Sequence, residues 1–151
     1  MGIARGPFRP DTVGPLADTL VAADCWHVRL VLTQGEPVGG PYVRRWWLPI
    51  LGPTATGLLA LLAEGLTAEC RSREWCQPDL ACRLGVAYRG GRTSSLIRSV
   101  ERLRQFRIVE ADDAVIRVPS HMPVLGPRDE RQLTPYVLAQ YRAAMLSEAS
   151  A

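Results

Sequence analysis

The sequence predicts one mainly helical domain with a small β component, an α+β fold, and three observations lead there. Residues 54–66 are apolar almost all round, as a buried helix is, and residues 94–106 run thirteen positions without Gly or Pro. Residues 26–33, WHVRLVLT, alternate large and β-branched side chains as a half-buried strand does. A length of 151 residues and a mass of 16.6 kDa suit a single core with appended segments. The divisions expected are an N-terminal arm with one strand (1–41), a central domain (42–118), and a connector with a C-terminal helix (119–151).

Taken in chain order, residues 1–24 are rich in Pro, Gly and Asp and predict an arm ordered on contact or a short helix near 11–23. The strand at 26–33 ends in the Gly/Pro-rich stretch 34–41, a linker or wide turn. Residues 42–51 carry three aromatics and two arginines before Pro49, and Pro53-Thr54 opens the apolar helix, which Gly65 helps to end. Residues 69–75 read as a brief strand. Gln77-Pro78-Asp79 opens a two-turn helix closed by Gly85, and a loop at 86–93 leads to the helix 94–106, capped by Thr93 or Ser94. Residues 108–110 and 114–118 form a β-hairpin about a polar turn at Ala111-Asp112-Asp113, ended by Pro119. A second capping residue followed by proline, Thr134-Pro135, starts a helix that runs to about Ser147.

Composition narrows the functional classes. The chain is 47% hydrophobic and 22% charged with a mean hydropathy near zero, and no stretch supplies the roughly 18 uncharged apolar residues of a membrane span. Prolines at 7, 10 and 15 break the N-terminus before an apolar signal region can build, so a cytoplasmic protein is expected. All eighteen basic residues are arginine, which the coding bias of a GC-rich genome would produce. Their placement is a separate matter. Residues 71–107 hold nine arginines against three acids, while the segments before and after are slightly acidic. An asymmetry of that kind marks a surface facing a polyanion.

The order helix, connector, two-turn helix, loop, longer helix, two-stranded ribbon over 42–118 resembles a winged helix-turn-helix domain. The segments YVRRWWLPILGPTATGLLALLAEGL and RLGVAYRGGRTSSLIRSVERLRQF are also similar to uncharacterised actinobacterial proteins labelled DNA-binding. The resemblance implies that the helix 94–106 enters the major groove of double-stranded DNA. Such a helix must bury one stripe and present polar side chains on the other. Leu96, Val100, Leu103 and, one turn on, Phe106 or Arg107, widened by Ile97, form the expected buried stripe. Ser95, Arg98, Arg102 and Gln105 share the opposite face, where arginine can address guanine edges or phosphates. Glu101 lies beside it and can orient Arg98 or Arg104.

The loop Tyr88-Arg89-Gly90-Gly91-Arg92-Thr93 adds two glycines, two arginines and a helix N-terminus, the ingredients of a phosphate clamp. It is not a nucleotide-binding phosphate loop, since the Gly-x4-Gly-Lys spacing and any lysine are missing. Residues 42–47, YVRRWW, could stack on exposed bases or serve as a protein-binding hot spot, but a core role is favoured, with one of Trp46 and Trp47 under the apolar helix while Arg44 and Arg45 reach a phosphate flank; Arg117 on the hairpin can touch flanking backbone. Asp112 and Asp113 at the hairpin tip would repel phosphate. A winged-helix module that binds protein, or a replication or plasmid-maintenance factor on the same fold, is therefore the alternative to a small transcriptional regulator.

The four cysteines are too few for a disulfide scaffold and are expected to be reduced, with Cys82 a small buried hydrophobe and Cys76 a helix-entry residue. The six-residue spacing of Cys70, Cys76 and Cys82, with Cys25, His27 and His121 elsewhere, does not match a structural zinc site, so no metal or other cofactor is expected. A redox-sensing thiol would need the help of Arg71, Arg73 or Arg83. No enzyme motif is found, and neither histidine has a nucleophile and carboxylate at useful spacing. The helix 134–147 carries an apolar stripe (Leu133, Val137, Leu138, Tyr141, Ala144, Met145) that needs a partner. That partner is the chain's own strand at 26–33 and Trp46-Trp47 region or, as favoured here, the same helix of a second subunit in a homodimer.

Overall fold

The computed structural model describes residue 8 and residues 14–150. Residues 1–7 and 9–13 of the N-terminal arm, including the first residues of the helix expected near 11–23, lie outside them. Helix α1 (Asp18–Ala22) leads into strand β1 (Cys25–Val31), on which Trp26, Val28 and Leu30 are buried and Arg29 is exposed. The Gly/Pro-rich stretch expected to be only a linker contains a two-residue strand, β2 (Glu36–Pro37). A π-helical turn, Val43–Trp47, runs into α2 (Leu48–Leu51), and the apolar helix follows as α3 (Pro53–Ala63). Then come β3 (Ser72–Cys76), α4 (Gln77–Leu84), α5 (Ser95–Gln105), and the hairpin of β4 (Glu110–Asp112) and β5 (Val115–Pro119). The connector is also structured, holding β6 (His121–Met122) and α6 (Pro127–Glu130) before α7 (Pro135–Ala149).

The architecture is α+β. Four strands form a mixed sheet in the order β3-β1-β5-β4, with β1 antiparallel to β3 and parallel to β5. The strand assigned to an N-terminal arm thus lies between the brief strand and the hairpin. A parallel pair needs a long crossover, and here the chain from β1 to β5 passes through α3, β3, α4 and α5. β2 pairs separately with β6. The hairpin turn falls at Asp113-Ala114, not at 111–113: Asp112 pairs with Val115, and Asp113 takes a φ of 50°, a left-handed conformation that aspartate tolerates better than most residues.

One contiguous core joins sheet and helices. Trp26, Trp47, Leu58, Leu59, Leu62, Ile97, Leu103, Ile116 and Val118 are all buried in it. Trp26 Nε1 donates to the Leu20 carbonyl at 2.8 Å and Trp47 Nε1 to that of Pro123 at 3.0 Å. The C-terminal helix packs back on its own chain, since Tyr141 is buried edge-on to Trp46 with ring centroids 5.1 Å apart. The Tyr141 and Tyr42 hydroxyls lie 2.9 Å apart, and the Leu125 amide donates to Tyr42 at 3.0 Å. Burial and the Tyr141 contact push the Tyr42 phenol well above its usual pKa.

The expectation of reduced, buried cysteines is corrected. Cys25 and Cys76, facing each other across β1 and β3, are joined in a disulfide, and Cys70 and Cys82 are exposed. Cys76 does stand at the entry of α4, as its N-cap. Gln77, the next residue, is buried, and its side-chain amide donates to the Val21 and Ala23 carbonyls. The start of α4 is thereby fastened to the N-terminal segment. Gly85 ends α4 at φ 74°, where a side chain would be strained. Among the described residues no helix is long and apolar enough to cross a membrane.

Candidate nucleic-acid interface

The interface begins with how α5 is held. Ser94 is its N-cap, the hydroxyl accepting from the Ile97 amide at 3.1 Å; Thr93 stays exposed outside the helix. Leu96, Ile97, Val100, Leu103 and Phe106 are buried, which turns the opposite face outward. Ser95, Arg98, Arg102 and Gln105 are all exposed on it. The helix therefore presents the polar stripe that its spacing predicts.

Exposure of a residue does not fix the place of its guanidinium. Arg102 reaches sideways to the end of α2, its Nε donating to the Leu51 carbonyl at 2.9 Å and Nη2 to that of Ile50 at 2.5 Å. Those carbonyls close a short helix whose last turn lacks further residues to bond them, so a cation there meets both an orphan acceptor and a negative dipole end. Arg102 is a brace between α5 and α2. Arg98, one turn earlier, makes no hydrogen bond or ion pair with the described residues. Glu101 forms no ion pair with Arg98, and Arg104 Nη1 donates to the Gly14 carbonyl at 2.8 Å.

The loop divides in the same way. Arg89 is exposed and bonds to none of the described residues. Gly91 has a φ of 90°, which lets the chain turn back so that the Ser94 amide meets the Gly91 carbonyl. Arg92 Nη2, by contrast, donates to the Leu16 carbonyl at 2.9 Å and meets Asp18 Oδ1 at 2.5 Å. It tethers α1 to the loop, and its availability to phosphate depends on releasing Asp18.

Farther out, Trp46 and Trp47 are both buried, so neither offers a ring to a nucleic-acid base. Arg44 and Arg45 remain exposed, with the Arg45 guanidinium over the Trp46 ring at 4.9 Å. Arg117 is half-buried on β5, away from the hairpin tip and beside Arg29 of β1. The residues brought together at the N-terminal half of α5 are thus Arg89, Thr93, Ser95 and Arg98. The partners that draw Arg92 and Arg102 inward, Asp18 and the Ile50 and Leu51 carbonyls, are far away in sequence. Of these, the Ile50 and Leu51 carbonyls have a local sign, a four-residue helix that ends at Gly52. No family model, curated protein or solved structure matches this chain.

Proposed function

We propose that this chain is a winged helix-turn-helix protein that binds double-stranded DNA, acting as a small transcriptional regulator. The observation that carries the reading is the outward face of α5. Ser95, Arg98 and Gln105 stand clear of a fully buried stripe, Arg89 stands exposed before the helix N-terminus and bonds to none of the described residues, and a β-hairpin follows. Arg98 would address a base edge or phosphate in the major groove, with Ser95 and Gln105 as neutral donors and acceptors. Arg89, Thr93 and the first amides of α5 would hold a phosphate beside it. Arg44 and Arg45 would contact flanking backbone, and Arg102 would fix the angle of the reading helix. The exposed Asp112 and Asp113 make the hairpin tip a poor phosphate contact and favour, as a second reading, a hairpin turned toward a protein.

The proposal includes a homodimer through α7, on which Tyr136 and Leu146 remain 74% and 70% exposed after Tyr141 has packed inward. Sedimentation should give twice the chain mass. DNA binding is tested by salt-titrated anisotropy with fragments from upstream of the protein's own coding region. About four phosphate contacts per chain give a log–log slope near −4 for a monomer and about twice that for a dimer. A slope near zero, or no binding at low salt, overturns the reading.

A further inference from the structure

The outer face of the four-stranded sheet, opposite the buried Trp26, Val28 and Leu30, carries a second concentration of arginine. Arg29 of β1 and Arg117 of β5 are direct neighbours across the parallel pair and so point to the same side. Ser72 faces Arg29 from β3, and Arg71 stands immediately before it, its carbonyl accepting from the Leu30 amide at 2.7 Å and its Nε donating to the Ala68 carbonyl at 3.1 Å. Arg29, Arg71, Ser72 and Arg117 line a single cleft of 370 Å³. Among the described residues none of the three arginines makes an ion pair. Glu110 is the cross-strand neighbour of Arg117 but does not line the cleft, and Arg73 is turned away over the Trp75 ring at 3.9 Å.

Like charges side by side on one face of a sheet oppose the pairing that holds them there. Three guanidiniums and a hydroxyl around one cleft supply many donors and no negative charge, a set suited to a tetrahedral dianion. We propose that this cleft binds the phosphate group of a small molecule. Its volume lies near the lower end for small-molecule sites, about 300–1,000 Å³. It also lies on the side of the sheet away from the buried Trp26 and Val28. The phosphate would join three strands that come from three separate parts of the chain. The site stands whether or not α5 reads DNA.

The test is calorimetric titration of the full chain with inorganic pyrophosphate at constant ionic strength. Saturable binding at the cleft is expected, weakened about tenfold or more in Arg29→Gln and Arg117→Gln and unchanged in Arg128→Gln, an exposed arginine remote in sequence from both surfaces. Arg71→Gln, which lies outside the strand ladder, carries the same expectation if Arg117→Gln fails to fold. Binding that does not saturate, or that survives equally in Arg29→Gln and Arg71→Gln, overturns the proposal. A DNA affinity reduced as much by Arg29→Gln as by Arg98→Gln would assign the cleft to a nucleic-acid backbone and overturn it too.

Discussion

The two halves of α5 carry the same residue types and are used differently. In the N-terminal half, Ser95 and Arg98 project from a capped helix end, with Arg89 exposed in the preceding loop. In the C-terminal half, Arg102 is bonded to Ile50 and Leu51 and Arg104 to Gly14, and just beyond the helix the Arg107 carbonyl accepts from the Phe8 amide. One half is presented and the other is fastened. A run of arginines on one helix face is therefore not a uniform charged surface: where an unbonded helix end comes within reach, the guanidinium becomes scaffold.

The largest effect should come from breaking the buried side that both halves share. Leu103 is fully buried, and Leu103→Ala should cost about 2–5 kcal/mol in urea unfolding, with loss of ligand binding only through loss of the fold. The next variant separates the halves. Arg102→Ala leaves two carbonyls without their charged donors and should cost about 1–2 kcal/mol, and Arg102→Lys, lacking the planar fork, should recover only part of it. Arg98→Ala should leave stability within about 0.5 kcal/mol while weakening binding to one DNA sequence by about 1–3 kcal/mol. Equal stability losses in the two alanine variants would erase the distinction.

A smaller effect tests how the presented half is held. Ser94→Ala removes the side-chain acceptor of the Ile97 amide and should cost about 1 kcal/mol, with Ser94→Asp nearly neutral. Because the cap orders the end of the helix that carries Ser95 and Arg98, the same change should weaken DNA binding more than Arg104→Ala does. Thermal unfolding and anisotropy on the same variants check both statements.

How much of this was legible in the sequence follows from the range of each interaction. The bounds of α4, α5 and α7 are set by caps within a few residues, Gly85, Ser94 and Thr134-Pro135, and local chemistry announces them. The place of β1 between β3 and β5 has no local sign, because each pairing partner lies tens of residues away. The two-residue strands β2 and β6 are too short to show a period. Spacing gives the direction in which the Arg102 side chain leaves the helix, but its guanidinium ends on carbonyls about fifty positions earlier. Arg29 was within reach of reasoning, since the alternation that buries Trp26, Val28 and Leu30 sends it to the other face; that Arg71 and Arg117 join it depends on the sheet order. The Cys25–Cys76 pairing depends on that same register.

The smallest effect on stability should accompany an informative one on binding. Arg92 and Asp18 form an ion pair whose side chains are 44% and 94% exposed, so water screens it and it contributes about 0–1 kcal/mol. Asp18→Asn should therefore leave the unfolding midpoint almost unchanged. The same substitution removes the carboxylate that competes with phosphate for the Arg92 guanidinium. If Arg92 is a reserve phosphate contact, Asp18→Asn should tighten binding to all DNA sequences alike and steepen the salt slope by about one unit. Arg92→Ala should then abolish the gain in the double variant. A slope that stays the same in Asp18→Asn would make Arg92 scaffold in the sense that Arg102 is, held by the Leu16 carbonyl alone, and would leave Arg89 as the loop's phosphate contact.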